Sequence, residues 1–348
     1  MKSAYRIALL PGDGIGPDVV AETLKVLHAM EPGIPAKFEY EELSVGAGEY
    51  LRSGDPLPAA TFERLREFDA ILLGAMGLPA VRWPDGTEMT PQIDLREKLD
   101  LFCGLRPIRL YHESHSPLKG RQKGEIDFLI IRESTEGLFF SRLNKPKPDA
   151  MEVRDVMRIS RDRSQRLFVS AFEQARNRRK HVTLVDKANV LPSMAFFRRI
   201  FDEVAERYPD VKTNRTYVDA ASLYLIQRPQ TFDVIVTENM FGDILSDLAA
   251  GLVGGMGMAP SADIGPKHGV FQPSHGTAPD IAGKGIANPV ATILSAAMML
   301  EWLGFSEAAK RIDSAVSNVM AAGHRTCDLG GNVRTEEMGN LIVSALNP

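Results

Sequence analysis

Cysteine is almost missing from this chain: Cys103 and Cys327 are the whole supply in 348 residues. A secreted protein of this length usually carries a larger, paired set. A disulfide scaffold is therefore excluded, and a reducing, cytoplasmic compartment is expected. An excess of charge of one sign is missing too. Lys and Arg number 41 against 45 Asp and Glu, a net charge of −4 with a pI near 6.0. Without a broad basic field, nucleic acid is not an expected partner. The basic run Arg176-Asn177-Arg178-Arg179-Lys180 is local and reads as a solvated helix end. No uninterrupted apolar run reaches membrane-spanning length. Residues 287–303 come nearest, but Asn288, Pro289 and Thr292 break them, and they read as a buried helix. The start, Met1-Lys2-Ser3-Ala4-Tyr5-Arg6, lacks a signal-peptide pattern and leads into a short strand. Repeats and low-complexity tracts are also lacking.

What is there is an ordinary globular mixture, 44% hydrophobic and 25% charged, in a length that suits two domains. β-rich runs fall at 6–10, 37–43, 69–73, 127–132, 181–185, 211–217 and 233–237, with an extended segment at 104–109. Helical patterns fall at 17–30, 59–67, 164–180, 193–208 and 220–228, and another closes over 96–101. Such alternation predicts an α/β protein with a parallel sheet. Residues 138–153 are poor in apolar side chains and read as a loop or an exposed hairpin. The glycine- and methionine-rich stretch 251–257 suggests a crossing between domains.

The most specific string is Phe241-Gly242-Asp243-Ile244-Leu245-Ser246-Asp247, directly after the strand at 233–237. Four residues make about one helical turn, so Asp243 and Asp247 share a face. Paired carboxylates at a cleft suit Mg²⁺ or Mn²⁺, which take oxygen ligands. An acid-rich first helical turn is the plainer reading of the pair. Basic residues also stand in apolar surroundings: Arg96, Arg106, Arg132 at a strand end, and Lys187 after the strand at 181–185. Arginine binds carboxylates through paired hydrogen bonds, so together these residues describe a pocket for a small anionic acid. Singly, each reads as a surface ion-pair partner.

Gly12-Asp13-Gly14-Ile15-Gly16 imitates a dinucleotide fingerprint, with Glu39, Glu41 and Glu42 on the next strand. The third glycine falls too early, which argues against a conventional Rossmann site. Residues 273–289, polar and rich in glycine, could wrap a nucleotide with His275 and Asn288 near the base and Asp280 on a ribose diol. A structural Ω-type loop is the alternative.

These strings resemble the β-decarboxylating dehydrogenases, the family of isopropylmalate, isocitrate, homoisocitrate, D-malate and tartrate dehydrogenases. The likeness runs from Leu10-Pro11-Gly12-Asp13-Gly14-Ile15-Gly16-Pro17 through Val185-Asp186-Lys187-Ala188-Asn189-Val190 and 241–248 to 275–289, and is strongest to the isopropylmalate branch. It implies a two-domain α/β fold that is not a conventional Rossmann fold. Residues 1–102 with 254–348 would form the cofactor-side domain. Residues 103–253 would form the central domain, with the metal helix, the dimer interface and an arm at about 138–155.

By position, the resemblance assigns Arg96, Arg106 and Arg132 to the substrate carboxylates, with Gln92, Ile93, Phe139 and Val190 around its C3 substituent. Asp243 and Asp247 would bind Mg²⁺ or Mn²⁺, joined by Asp219 of the partner subunit in a homodimer with shared active sites. Lys187 of the partner subunit would be the base at the C2 hydroxyl, with Asp219 beside it in catalysis. Ile15, Asn189, His275, Gly276, Ala278, Pro279, Asp280, Ile281 and Asn288 would hold the cofactor. Asp280 and Ile281 match the NAD-using pattern, since an aspartate would repel the 2′-phosphate of NADP. The implied activity is oxidation of a C3-substituted malate-like dicarboxylate. A 3-isopropylmalate dehydrogenase of leucine biosynthesis, a D-malate or tartrate dehydrogenase, and a silent regulatory paralogue are the alternatives. Two departures bear on that choice. Phe139 stands where the family has a tyrosine held to protonate the product of decarboxylation. Gln92 and Ile93 stand where isopropylmalate enzymes have leucines.

Overall fold

The computed structural model describes residues 2–147 and 149–346. β1 (Ala4–Gly12) buries residues 7–10. α1 (Gly16–Met30) carries Pro17 in its first turn, where the absent N–H is not missed, and buries Val19, Val20, Val26, Leu27 and Met30 along one stripe. β2 (Lys37–Glu42) is a partly exposed sheet edge. α2 (Ala47–Ser53) and α3 (Ala59–Leu65) lead to β3 (Ala70–Ala75), which is buried throughout. α4 (Pro91–Lys98) precedes β4 (Cys103–Arg109) and β5 (Asp127–Glu133). Then come α5 (Arg161–Arg176), β6 (His181–Asp186), α6 (Pro192–Ala205), β7 (Lys212–Tyr217), α7 (Val218–Gln227), β8 (Val234–Thr237) and α8 (Asn239–Gly251). β9 (Pro260–Ile264) and β10 (Gly269–Pro273) form a hairpin. α9 (Val290–Trp302), α10 (Ser306–Ala321) and α11 (Thr335–Leu346) complete the chain.

All ten strands join one sheet in the order β2-β1-β3-β10-β9-β4-β5-β8-β6-β7. The expectation of a parallel sheet holds only on its flanks. β10–β9, β9–β4 and β4–β5 are antiparallel. Three reversals make the strands of one flank run opposite to those of the other. The hairpin escaped the sequence reading because both of its strands are five residues long and proline-bounded. It is closed by the bond from Gly265 N–H to His268 O (2.9 Å). Pro107 lies just past the last β4–β9 pair, Leu105 with Ala262, where a strand tolerates a missing donor. The predicted helix 164–180 begins earlier and stops at Arg176, and Lys180 has a left-handed φ of 57° that no helix continues through.

Among the described residues, four large apolar cores cover the two faces, with a small fifth at Ile15, Val19 and Ala287. Two of them draw mainly on residues before 102 and after 257, packing α1, α9, α10 and α11 on one face and α3 and α4 on the other. The other two draw mainly on residues 102–253. One is aromatic, with Phe168 and Phe197 rings 4.6 Å apart between α5 and α6. The other sits under α7 and α8. Within 138–155 the described residues show a 3-10 turn at Leu138–Ser141 and no paired strands beyond the isolated bridge Gly137–Arg158, so they form a loop. Pro148 lies outside the described residues. No helix among the described residues is long and apolar enough to cross a membrane. Cys103 and Cys327 are both free, as the sparse cysteine content led one to expect.

Candidate active site

The opposed flanks change where a ligand can sit. The carboxyl ends of the two sets of parallel strands point to opposite edges. The polar cleft lies instead against the antiparallel centre of the sheet. It has a volume of about 190 Å³ and is lined by Gln92, Arg96, Arg106, Arg132, Asp243, Asp247, His275 and Gly276, with Ser246, Ser261, Gln272 and residues 73–76. Most of the predicted substrate and metal residues thus meet in one place.

A residue absent from the sequence reading organises them. Asp263, midway along β9, is completely buried. Its carboxylate accepts from Arg96 Nε (3.0 Å), Arg106 (3.3 Å), Ser134 Oγ (3.1 Å) and Gln272 Nε2 (3.0 Å). Burial opposes its charge, but the guanidinium groups of Arg106, Arg96 and Arg132 outweigh that and hold its carboxyl well below the usual range. Gly104 pairs with Asp263 across the ladder, and a Cβ there would come within 2.6 Å of Ser134 Oγ and 2.9 Å of Asp263 Oδ1. The available signal was a lone acid in the short run Pro260-Ser261-Ala262-Asp263-Ile264.

Arg132, at the end of β5, donates through Nε (3.0 Å) and a terminal nitrogen (2.7 Å) to Asn239 Oδ1, and pairs with Asp243. Burial, then the charge of Arg96, pushes its pKa down to about 10. Glu238 caps α8 by accepting from Met240 N–H (3.1 Å) and Phe241 N–H (2.6 Å), which aims the helix at the cleft. Gly242 lets Arg132 lie flat on α8, since a Cβ would meet its Cγ at 2.6 Å. Asp247, one turn from Asp243, has its carboxyl raised by burial and then by the Asp243 charge. Two crowded oxygen donors of this kind fit a hard divalent cation. Among the described residues no three His, Cys, Asp or Glu side chains cluster as a complete metal site.

Phe139 lies under the Arg132 guanidinium, 5.3 Å from ring centroid to Cζ. Gln92 Oε1 is buried at the cleft without a hydrogen-bond partner. Ile93 is half-buried and does not line the cleft. Lys187 and Asp219 are not part of the cleft lining either. They pair with each other at 2.8 Å on an exposed flank, near the exposed residues Asn189 and Val190. The Asp219 carboxyl is lowered by its hydrogen bond from Lys187.

The glycine turn is not a phosphate cradle. Asp13 fills it, accepting from Ala47 N–H (2.8 Å), Gly48 N–H (2.8 Å) and Gly77 N–H (2.7 Å). The 273–289 loop is pinned by its inner side. Ile15 N–H donates to Thr277 O (2.8 Å), and Ala278 and Ile281 pack on Ile15, Val19 and Ala287. Asn288 is buried and donates to Asp328 (3.1 Å). Pro279 and Asp280 face outward. His275 has a pKa lowered by burial and a buried Nε2 without a partner.

The sequence pattern of the isocitrate/isopropylmalate dehydrogenases matches residues 6–342. The chain belongs to that family. It is an oxidoreductase by that membership. It is 43% identical to a 3-isopropylmalate dehydrogenase of Zymomonas mobilis, over 98% of this chain and all of that protein. It is 44% identical to a 3-isopropylmalate/3-methylmalate dehydrogenase of Methanocaldococcus jannaschii, over 97% of this chain and 98% of that one. Its fold matches the crystal structure of an isocitrate dehydrogenase from Methylococcus capsulatus with a TM-score of 0.90 at 37% identity, covering 99% of this chain and all of the other. The relatives of this dehydrogenase family thus carry names with different C3 substituents on one malate skeleton.

Proposed function

We propose that the protein is an NAD- and Mg²⁺- or Mn²⁺-dependent dehydrogenase of a malate-like 2-hydroxy dicarboxylate bearing a partly polar group at C3. The observation that carries this reading is the burial of Arg96, Arg106 and Arg132 beside Asp243 and Asp247 in a single cleft. The arginines bind and orient the carboxylates. Asp243 and Asp247 are the protein's metal ligands, and a divalent ion held there would supply Lewis-acid polarisation of the substrate oxygens. NAD would supply the hydride acceptor, over His275, Gly276 and the 278–281 loop, with Asp280 disfavouring a 2′-phosphate.

Lys187 of the partner subunit removes the C2 hydroxyl proton, and Asp219 of the partner subunit completes the carboxylate set. Support for a shared homodimeric site comes from the surface around this pair. Asp219, Leu223 and Ile226 lie along one face of α7, and Leu223, Ile226, Val190 and Ile244 are exposed apolar side chains. The segregated cores support residues 1–102 with 254–348 as one domain and 103–253 as the other.

Gln92 favours a substituent that can hydrogen-bond, because its side-chain amide lines the cleft and offers both a donor and an acceptor. The second reading is 3-isopropylmalate dehydrogenase, favoured by the names of the relatives. Measuring NADH formation with Mn²⁺ over malate, tartrate, isocitrate, 3-isopropylmalate and 3-hydroxyalkyl malates decides between them. A hydroxylated substrate should have the highest kcat/KM. Clear preference for 3-isopropylmalate selects the second reading, and no turnover of any malate sinks both.

A further inference from the structure

Asp263 is not a member of the substrate or metal sets described above, yet it is a completely buried charge directly behind the cleft-lining arginines Arg96 and Arg106. Its two oxygens accept from four side chains, two of them arginines that line the cleft. Both terminal nitrogens of Arg106 also bond the protein. One terminal nitrogen donates to Leu105 O (3.0 Å) and Ala262 O (3.2 Å), and the other to Asp263. Arg96 spends only its Nε on Asp263, which leaves its two terminal nitrogens for a bound acid. Around the cleft, the three guanidinium charges of Arg96, Arg106 and Arg132 balance the three carboxylates of Asp243, Asp247 and Asp263, so a bound divalent ion would leave two positive charges, enough for two substrate carboxylates. Removing the Asp263 charge would leave one positive unit uncompensated a few ångströms from the acid.

We propose that Asp263 is the specificity-determining residue of the arginine cluster, an internal carboxylate that holds the cleft to acids with two carboxylates and disfavours those with three. The inference rests on the reading of the cleft as an acid site. A third substrate carboxylate would enter a cluster whose spare positive charge is already neutralised, at close range and in partly excluded water. Asp263 acts through Arg96 and Arg106, so it is a positioning residue that sets charge and does not itself touch the reacting atoms. A purely structural Asp263 would affect all acids alike. A charge-setting one separates them by their number of carboxylates.

The geometry offers a charge transplant as the test, because Gln272 Nε2 is 3.0 Å from Asp263 Oδ2. Isocitrate and 3-isopropylmalate share the malate skeleton and differ by one carboxylate. Their Kd values, measured by calorimetry with MnCl₂ and without NAD, give a ratio independent of turnover. The wild-type protein should favour 3-isopropylmalate. Asp263→Asn should move the ratio toward isocitrate by on the order of tenfold, the scale of one unit charge at short range after screening. Gln272→Glu should move it the other way, and Asp263→Asn with Gln272→Glu should return it near the starting value. If Asp263→Asn does not fold, Gln272→Glu decides alone. An unchanged ratio in a folded single variant overturns the proposal, as does a wild-type protein that binds both acids equally or neither. Wild-type binding of 3-isopropylmalate with no NADH from any malate would instead defeat the dehydrogenase reading and leave the charge rule standing.

Discussion

Asp263 and Asp219 are both carboxylates paired with a cationic side chain, and their settings are opposite. The Asp263 side chain is fully buried and held by two arginines, a serine and a glutamine. The Asp219 side chain is 68% exposed, and Lys187 is its charged partner. The first cluster is complete within one chain. The second stands on an apolar surface, apart from the cleft it is proposed to serve. The contrast separates two tasks. On the proposed reading, recognition of the acid is built into the buried sheet centre, and proton transfer is left to a flank that would function once another copy covers it.

The heaviest blow to the buried side of this contrast should be Asp243→Asn. A metal Lewis acid contributes several kcal/mol, so kcat/KM should fall on the order of a thousandfold with Mn²⁺ present. Turnover within twofold of wild type would remove the metal from the reading. The exposed side is tested by mixing Lys187→Ala protein with Asp243→Asn protein after joint refolding. Each alone should be nearly inactive. The mixture should recover about a quarter of wild-type activity, because half the dimers are mixed and each holds one intact site. No recovery would mean that Lys187 serves its own chain.

A smaller effect is expected at Phe139, whose ring lies on Arg132 but offers no proton. General acids contribute about 10²–10⁴-fold. Phe139→Tyr should therefore speed the steps after hydride transfer, seen in single turnovers as CO₂ release catching up with NADH formation. Unchanged timing would make Phe139 part of the wall only. The smallest effect is on stability. Burial holds Glu133 up at about 7, although Thr135 and Glu136 donate to it. The folded protein therefore keeps a proton that the unfolded chain loses above its ordinary 4.5. Stability from this group is full below pH 4.5 and is lost as pH rises through 7. Glu133→Gln should flatten denaturation midpoints across that window, and an unchanged slope would assign it to another group.

The buried cluster was only half legible in the sequence. Arg96, Arg106, Arg132, Asp243 and Asp247 announce themselves because charges in apolar runs need partners. The partner itself, Asp263, did not. Its strand is short and proline-bounded, and the sequence carries no pattern for the antiparallel pairing that brings 263 beside 104 and 272. The flanking strands and their helices were readable from period-2 and period-3.6 patterns. α10 and α11 were not among the expected elements. Asn239 and Ser134 act through geometry that only the folded turn provides.

The antiparallel centre has a mechanical consequence. β4 meets β5 over seven residue pairs but meets β9 over three, from Cys103 to Leu105, before Pro107. The sheet is thus a plate scored along two lines, β3–β10 with two pairs and β4–β9 with three, and the second runs between the two sets of cores. Bending is cheapest where few ladder bonds resist it. Asp263 and Gly104 face each other on that second line, so any flex there would reach Arg96 and Arg106 directly. The proposed grip on the acid thus sits at one of the two thinnest seams of the sheet.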